Sequence, residues 1–185
     1  MQYFLTGASG FIGKRLVKKI LEREGSTVFF LIRESDKESL EHLYEFWNCD
    51  SHRAIPVVGE LTQPLLGVSP ADRKKIGKKT AHFFHLAAIY DLNADAESQL
   101  RVNVQGTRNT VQFAEAIGAK HFHLFSSIAS AGLFEGLFRE DMFEEAEGLE
   151  HPYFRTKHDS EGIVRRECSI PWRIFRPALV VGDSR

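Results

Sequence analysis

The chain has 185 residues, 43% of them apolar, which is enough for one domain with a substantial core. Its 24 Lys/Arg and 25 Asp/Glu are interspersed and sum to a formal charge of −1, so no global field draws it to nucleic acid or to an anionic membrane. Two cysteines, Cys49 and Cys168, exclude a disulfide framework, no run reaches the ~20 apolar residues of a membrane helix, and no charged and apolar leader precedes the first strand, so a reducing, cytoplasmic setting is expected.

The first apolar run, Tyr3-Phe4-Leu5, leads into Thr6-Gly7-Ala8-Ser9-Gly10-Phe11-Ile12-Gly13 and a helical pattern with Ile12, Leu16, Val17, Ile20 and Leu21 on one stripe. A strand that turns through glycines into a helix aims bare backbone N–H groups, at the positive end of the helix dipole, at any anion above the turn. Gly7 allows the tight turn, Gly10 the approach of a pyrophosphate, and Gly13 the close packing of helix on strand. Ser26 to Ile32 is a continuous apolar and β-branched run, as expected for a strand buried on both faces, and Arg33 ends it. A helix is expected over 35–47 and a third strand over 54–58, leading to Gly59-Glu60-Leu61. Ser69-Pro70 reads as a helix cap with proline at the first helical position.

A fourth strand is expected over 82–88, then a long helix over about 95–117 with Leu100, Val104, Thr107, Val111 and Ala114 as its stripe. The fifth strand covers 121–125, a carboxylate-rich loop 132–148, a helix begins at Pro152, and a sixth strand covers 172–175. Six strands alternating with helices predict an α/β fold, a doubly wound parallel sheet with right-handed crossovers, as one domain over residues 1–185. Gly182 to Arg185 fall just past the sixth strand, so a C-terminal substrate lobe is expected to be missing and the sequence to be an N-terminal piece of a longer chain.

Tyr153 and Lys157 lie four residues apart, hence on one helix face. A tyrosine ordinarily has a pKa of about 10, and an adjacent positive charge favours the phenolate, which suits such a pair to proton transfer near neutral pH.

The glycine turn at residues 6–13, the pair Ser126-Ser127 after strand five and Tyr153-x-x-x-Lys157 together resemble the extended branch of the short-chain dehydrogenase/reductase superfamily, over essentially the whole chain. His85-Leu86-Ala87-Ala88, Asn103 to Asn109 and Arg176-Pro177-Ala178 add to the likeness. The resemblance implies a Rossmann-type NAD(P)-binding domain in which the Ser127 hydroxyl bonds a substrate carbonyl and Tyr153 donates the proton. Lys157 would hold the nicotinamide ribose and lower the tyrosine pKa. It also places nucleotide contacts at Thr6, Gly7, Ser9, Gly10, Phe11, Ile12, Gly13, Glu60, Leu61, Ala87, Asn103, Pro177 and Val180, with Glu60 and Leu61 bracketing the adenine. Three serines compete for the catalytic role. Ser127 matches hydroxysteroid dehydrogenases and acyl-thioester reductases; in sugar-modifying relatives the acting hydroxyl falls one residue later, where this chain has Ile128. Ser126 and Ser130 are left to turn hydrogen bonding.

Cofactor choice rests on the end of strand two. An acidic residue there would bind the ribose 2′-hydroxyl and repel a 2′-phosphate, whereas an arginine pairs with that phosphate. Arg33 therefore points to NADP(H) over NAD(H), with Asp36 too far along to substitute. His121 and His123 share a strand face without a ligand set around them, so no metal is expected. Arg73, Lys74, Lys75, Lys78 and Lys79 could meet a coenzyme A phosphate but read as a solvated helix face, and Glu140 to Glu150 as a surface loop.

Leu31-Ile32-Arg33, His85 to Asp91 and Arg176 to Ser184 resemble the fatty acyl-CoA (acyl-thioester) reductases. That likeness implies reduction of an acyl-CoA thioester to an aldehyde, or onward to an alcohol, with acyl-CoA as the small-molecule partner. A hydroxysteroid- or flavonoid-type dehydrogenase and a nucleotide-sugar epimerase or dehydratase stay open as alternatives. So does an NADP-sensing binding protein, although a sensor has no need of the complete Ser-Tyr-Lys set.

Overall fold

The computed structural model describes residues 1–91 and 93–182. Strands β1 (Gln2–Thr6), β2 (Thr27–Ile32), β3 (Ala54–Val58), β4 (Thr80–His85), β5 (His121–Phe125) and β6 (Trp172–Phe175) form one sheet. Its order is β3-β2-β1-β4-β5-β6, with every neighbouring pair parallel. This is the doubly wound arrangement the alternation predicts, and its switch point lies between β1 and β4.

Both faces of the sheet are covered, which is why the strands read as apolar runs rather than alternating ones. Helices α1 (Phe11–Leu21) and α2 (Leu40–Trp47) bury Val17, Ile20, Leu43 and Trp47 against Tyr3, Leu5, Val28 and Phe30. On the opposite face α3 (Pro70–Ile76), α5 (Gly106–Ala116) and α6 (Pro152–Glu167) bury Ile76, Val111, Phe113, Ile163 and Val164. There Phe4, Phe83 and Phe122 stack across three adjacent strands with centroids 4.8 and 5.5 Å apart. Each of these fully buried rings contributes about 1.5–3 kcal/mol of transfer free energy.

Three elements differ from the pattern reading. β4 starts at Thr80 and ends at His85, not over 82–88, because after the Leu86 N–H bonds the Thr6 carbonyl (3.2 Å) the chain leaves the sheet to cross above Gly7. The helix expected over 35–47 is a 3-10 turn (Glu34–Ser39) followed by α2. In that turn Ser39 Oγ donates to the Asp36 carbonyl at 2.6 Å, the kind of local bond by which short polar residues compete with an α-helical ladder. The long helix is α4 (Ala96–Gln99), a π-helical turn (Leu100–Gln105) and α5. The wider π turn slips the helix phase by one residue, so Gln99 is buried and Leu100, expected on the core stripe, is 53% exposed.

No helix among the described residues is long and apolar enough to cross a membrane. Asp183 and Ser184, part of the closing segment of the acyl-thioester reductase likeness, lie outside the described residues.

Candidate functional site

The site grows from the carboxyl ends of β1 and β4. Gly7 takes a left-handed φ of +74°, and a Cβ on it would stand 2.6 Å from the Ala87 nitrogen. A Cβ on Gly13 would stand 2.0 Å from the Gly7 carbonyl oxygen, so the first turn of α1 rests on the loop only because residue 13 has no side chain. At Gly10, the N-cap residue of α1, a Cβ would meet only that same oxygen, at 3.4 Å. Its flank is open to an approaching group. No side chain caps α1 and no acidic residue sits in its first turn, so its N–H groups and dipole are available to a pyrophosphate. Thr6 is buried beneath the turn, Ser9 and Phe11 are exposed at its lip, and Ile12 is half-buried.

A buried chain of polar groups fixes this turn to β4 and the π turn. Thr6 Oγ1 lies 2.7 Å from His85 Nδ1, and His85 Nε2 lies 3.1 Å from Thr107 Oγ1. Thr107 donates its hydroxyl hydrogen to the Asn103 carbonyl at 2.6 Å, which obliges His85 Nε2 to be the N–H and Nδ1 the acceptor from Thr6. Burial, with Lys157 nearby, pushes the His85 pKa down to about 3, consistent with a neutral ring in this chain. The Ala87 N–H completes the junction by donating to Thr6 Oγ1 at 3.4 Å. Asn103 itself is committed to protein groups. Its Oδ1 accepts from the Ile89 N–H (2.8 Å), and its Nδ2 donates to the Ile89 carbonyl (3.0 Å) and to Thr156 Oγ1 (3.2 Å). It pins the segment after β4 to α6, with both Nδ2 hydrogens donated to protein groups.

The end of β5 and the start of α6 bring the remaining residues to the same edge. Ser127 follows β5 and accepts from the Ala129 N–H at 3.1 Å, which leaves its own hydroxyl hydrogen to donate elsewhere. Ser126 and Ser130 are buried. Tyr153 lies in the first turn of α6, where His151 Nδ1 accepts from its N–H at 3.1 Å. One turn further, the buried Lys157 donates from Nζ to the carbonyl of Phe125, the last residue of β5, at 3.2 Å. Burial lowers the Lys157 pKa to about 8, and the charge of Glu161 opposes that drop.

Glu161, another turn along α6, is fully buried and is a residue the motif reading missed. Desolvation acts to raise its pKa, but a forked ion pair with Arg176 (2.7 and 3.0 Å) holds it on balance below the ordinary carboxylate range. The Ser126 and Ser130 hydroxyls sit close enough to favour the charged carboxylate without reaching hydrogen-bond geometry. Arg176 also donates to the carbonyls of Met142 (2.9 Å) and Arg139 (3.2 Å), tying the acidic loop to the helix that carries Tyr153 and Lys157. The four-residue steps 153, 157 and 161 were the signal that could have found Glu161.

At the far end of the crevice Arg33 follows β2, and its guanidinium is paired with Asp36 (Nε to Oδ2 2.8 Å, Nη2 to Oδ1 3.3 Å). The Glu60 N–H bonds the Leu66 carbonyl (2.8 Å). Leu61 packs on the Gly106 face of α5, and its carbonyl accepts from Asn109 Nδ2 (2.8 Å). Pro177 accepts from the Ile128 N–H at 3.1 Å, and Val180 is 48% exposed beyond β6. Lys78 and Lys79 precede β4 and so stand at the opposite, amino-terminal edge of the sheet, away from the glycine turn. His82 Nδ1 bonds His123 Nε2 (3.0 Å), and the His123 ring stacks on Phe84 at 4.4 Å, in the sheet rather than at its edge.

The model of the NAD-binding family described as male sterility protein matches residues 5–185. A linear gramicidin synthase of Brevibacillus parabrevis is 31% identical over 195 residues, which cover 97% of this chain and 4% of that one. A putative fatty acyl-CoA reductase of Drosophila melanogaster is 24% identical over 221 residues, covering 97% of this chain and 41% of its own length. Among solved structures, the terminal R domain from the myxalamid PKS-NRPS biosynthetic pathway superposes with a TM-score of 0.85 at 27% identity, covering 100% of this chain and 50% of that one. The chain thus spans half or less of the length of these relatives. Sheet order, glycine turn and family match agree, and the chain belongs to the male sterility protein family, a nicotinamide-nucleotide-binding branch of the extended short-chain dehydrogenase/reductases.

Proposed function

We propose that this chain supplies the nucleotide-binding and proton-donating half of an NADP(H)-dependent reductase acting on an acyl thioester. The observation that carries this reading is the gathering of the uncapped α1 N-terminus, the Ser127 hydroxyl and the Tyr153–Lys157 turn of α6 at one edge of the sheet. The bound nucleotide would supply a hydride. Gly7, Gly10 and Gly13 hold its pyrophosphate against backbone N–H groups. Ser127 donates to the substrate carbonyl oxygen and, with Tyr153, stabilises negative charge developing there. Tyr153 passes its phenolic proton to that oxygen, and the buried Lys157 cation one turn away favours the phenolate left behind. Loss of the thiol from the reduced adduct leaves an aldehyde. Asn103 holds the loop after β4.

The thioester reading draws on the relatives named as a fatty acyl-CoA reductase and as an R domain of a PKS-NRPS pathway. It also draws on Ile128, an apolar side chain 56% exposed beside Ser127, where sugar-modifying relatives carry the acting hydroxyl. The test is NADPH oxidation by the full-length protein offered long-chain acyl-CoA, an acyl group thioesterified to a thiolation domain, a ketosteroid and a UDP-sugar. Turnover of either thioester supports the reading and identifies its carrier; turnover of the ketosteroid or sugar alone replaces it. Tyr153→Phe is expected to lower kcat by about 10²–10⁴ with NADPH affinity within twofold of wild type. Unchanged turnover in that variant removes Tyr153 as the proton donor.

A further inference from the structure

We propose that Asp36 sets the cofactor selectivity of this chain by occupying the guanidinium donors of Arg33 that a ribose 2′-phosphate would need. The inference rests on the nucleotide-binding reading above but concerns a residue that reading leaves idle. Arg33 Nε donates to Asp36 Oδ2 at 2.8 Å and Nη2 to Oδ1 at 3.3 Å, so one forked edge of the guanidinium is spent on a carboxylate. Asp36 is not a passing neighbour. Ser35 Oγ donates to Oδ1 (2.9 Å), the Asp36 N–H donates to the Arg33 carbonyl (3.1 Å), and Ser39 Oγ donates to the Asp36 carbonyl (2.6 Å). The 3-10 turn that displaces the start of α2 is what brings residue 36 back onto residue 33.

Glu60 adds a second carboxylate whose field reaches the same guanidinium. An arginine already paired with one carboxylate is a poorer host for a phosphate ester carrying a charge of about −1.5 to −2 than a free one. The ribose 2′-hydroxyl of NAD(H), by contrast, can donate to Asp36 while Arg33 stays paired. The arginine at the strand end therefore confers less preference for NADP(H) than its charge alone implies. A 2′-phosphate must displace Asp36 or bind end-on, through Nη1 and the second Nη2 hydrogen, beside it. The Arg33 and Asp36 side chains are 64% and 36% exposed, so the competition is that of a surface ion pair and should be worth a factor of up to about five in affinity.

The experiment measures binding, independent of turnover, by calorimetric titration with 2′,5′-ADP and 5′-ADP, whose affinity ratio isolates the 2′-phosphate. Asp36→Asn keeps the size and the turn while removing the charge. It should tighten 2′,5′-ADP about fivefold, leave 5′-ADP within twofold, and lose most of its effect in an Arg33→Ala background. An unchanged ratio in Asp36→Asn overturns the inference. Arg33→Ala alone separates the two readings: if it leaves the ratio unaltered, the assignment of the 2′-phosphate to Arg33 fails. If Arg33→Ala lowers the ratio while Asp36→Asn does not raise it, only the role given to Asp36 fails. Melting curves of both variants, expected within 2 °C of wild type because the pair is exposed, exclude misfolding as a cause.

Discussion

A methyl group added at Gly13 would lie 2.0 Å from the Gly7 carbonyl oxygen, whereas one added at Gly10 would lie 3.4 Å from that same atom. Both glycines belong to one spaced motif, and the spacing alone gives them equal standing. The structure separates a packing requirement from a binding one. We predict that Gly13→Ala costs about 1–3 kcal/mol or more, the range for overpacking, because backbone rather than a flexible side chain must give way. Gly10→Ala should unfold within about 1 kcal/mol of wild type yet lose at least tenfold in affinity for NADP⁺, since only an approaching pyrophosphate would meet the added methyl. Urea denaturation and nucleotide titration of the two variants check this together. Wild-type affinity in Gly10→Ala would mean that the ligand does not pass there. Asn103 shows the converse limit of motif reading. Its position in the likeness marks it, but its bonds to Ile89 and Thr156 depend on a π turn that no local spacing reveals.

Helix α6 carries Tyr153, Lys157 and Glu161 at four-residue steps, and its third member explains how the first two are held. A carboxylate with no exposure is tolerable only when its partner is fixed, and Arg176 meets it with a fork that also reaches the 139–142 loop. We predict that Glu161→Gln destabilises the fold by about 3–5 kcal/mol, since it leaves the mostly buried Arg176 cation without its counter-charge. Removing both charges with Glu161→Met and Arg176→Leu should cost less than the single change. Chemical denaturation measures the difference, and limited proteolysis near Arg139 should quicken in Glu161→Gln, because the loop loses its tether. Additive losses in the double variant would show that the pair is not coupled. At this scale the strands and α1 were legible, because burial on both faces writes apolar runs and a glycine turn is punctuation. The phase slip at Leu100 and the early end of β4 were not. Each depends on contacts outside the local pattern, the bonds of the buried Gln99 amide to the Ala94 and Asp91 carbonyls in one case and the close approach of Ala87 to Gly7 in the other.

Across the whole molecule, the sheet interior buries imidazoles that sequence patterning treats as ordinary strand residues. His85 stays neutral within the Thr6–Thr107 chain, its pKa pushed down by burial to about 3. His123, stacked on Phe84 and bonded to His82, is pushed to about 4 by burial and by the neighbouring His82, Arg173 and His121. In the unfolded chain both return to about 6.5. A histidine whose pKa is depressed by folding binds its proton more readily when unfolded, so the stability it permits is whole above pH 6.5 and drains away as the pH falls toward its folded value. Each should remove at most about 1.4 kcal/mol per pH unit below 6.5, His123 until about pH 4 and His85 until about pH 3. Carboxylates titrate in the unfolded chain near 4, so between pH 6 and 5 the slope belongs mainly to the histidines, His85 and His123 together with His82, whose pKa burial also lowers. We therefore predict that the urea midpoint falls steeply across that interval. His123→Phe, which keeps the stack on Phe84 and removes one titrating group, should reduce the slope by up to half without a large change at pH 7. A slope that His123→Phe leaves untouched would remove His123 from the account, whereas a profile flat between pH 6 and 5 would show that His85 also carries its proton in the folded sheet. The hydrogen-bond chain beneath the glycine turn would then need a different proton order.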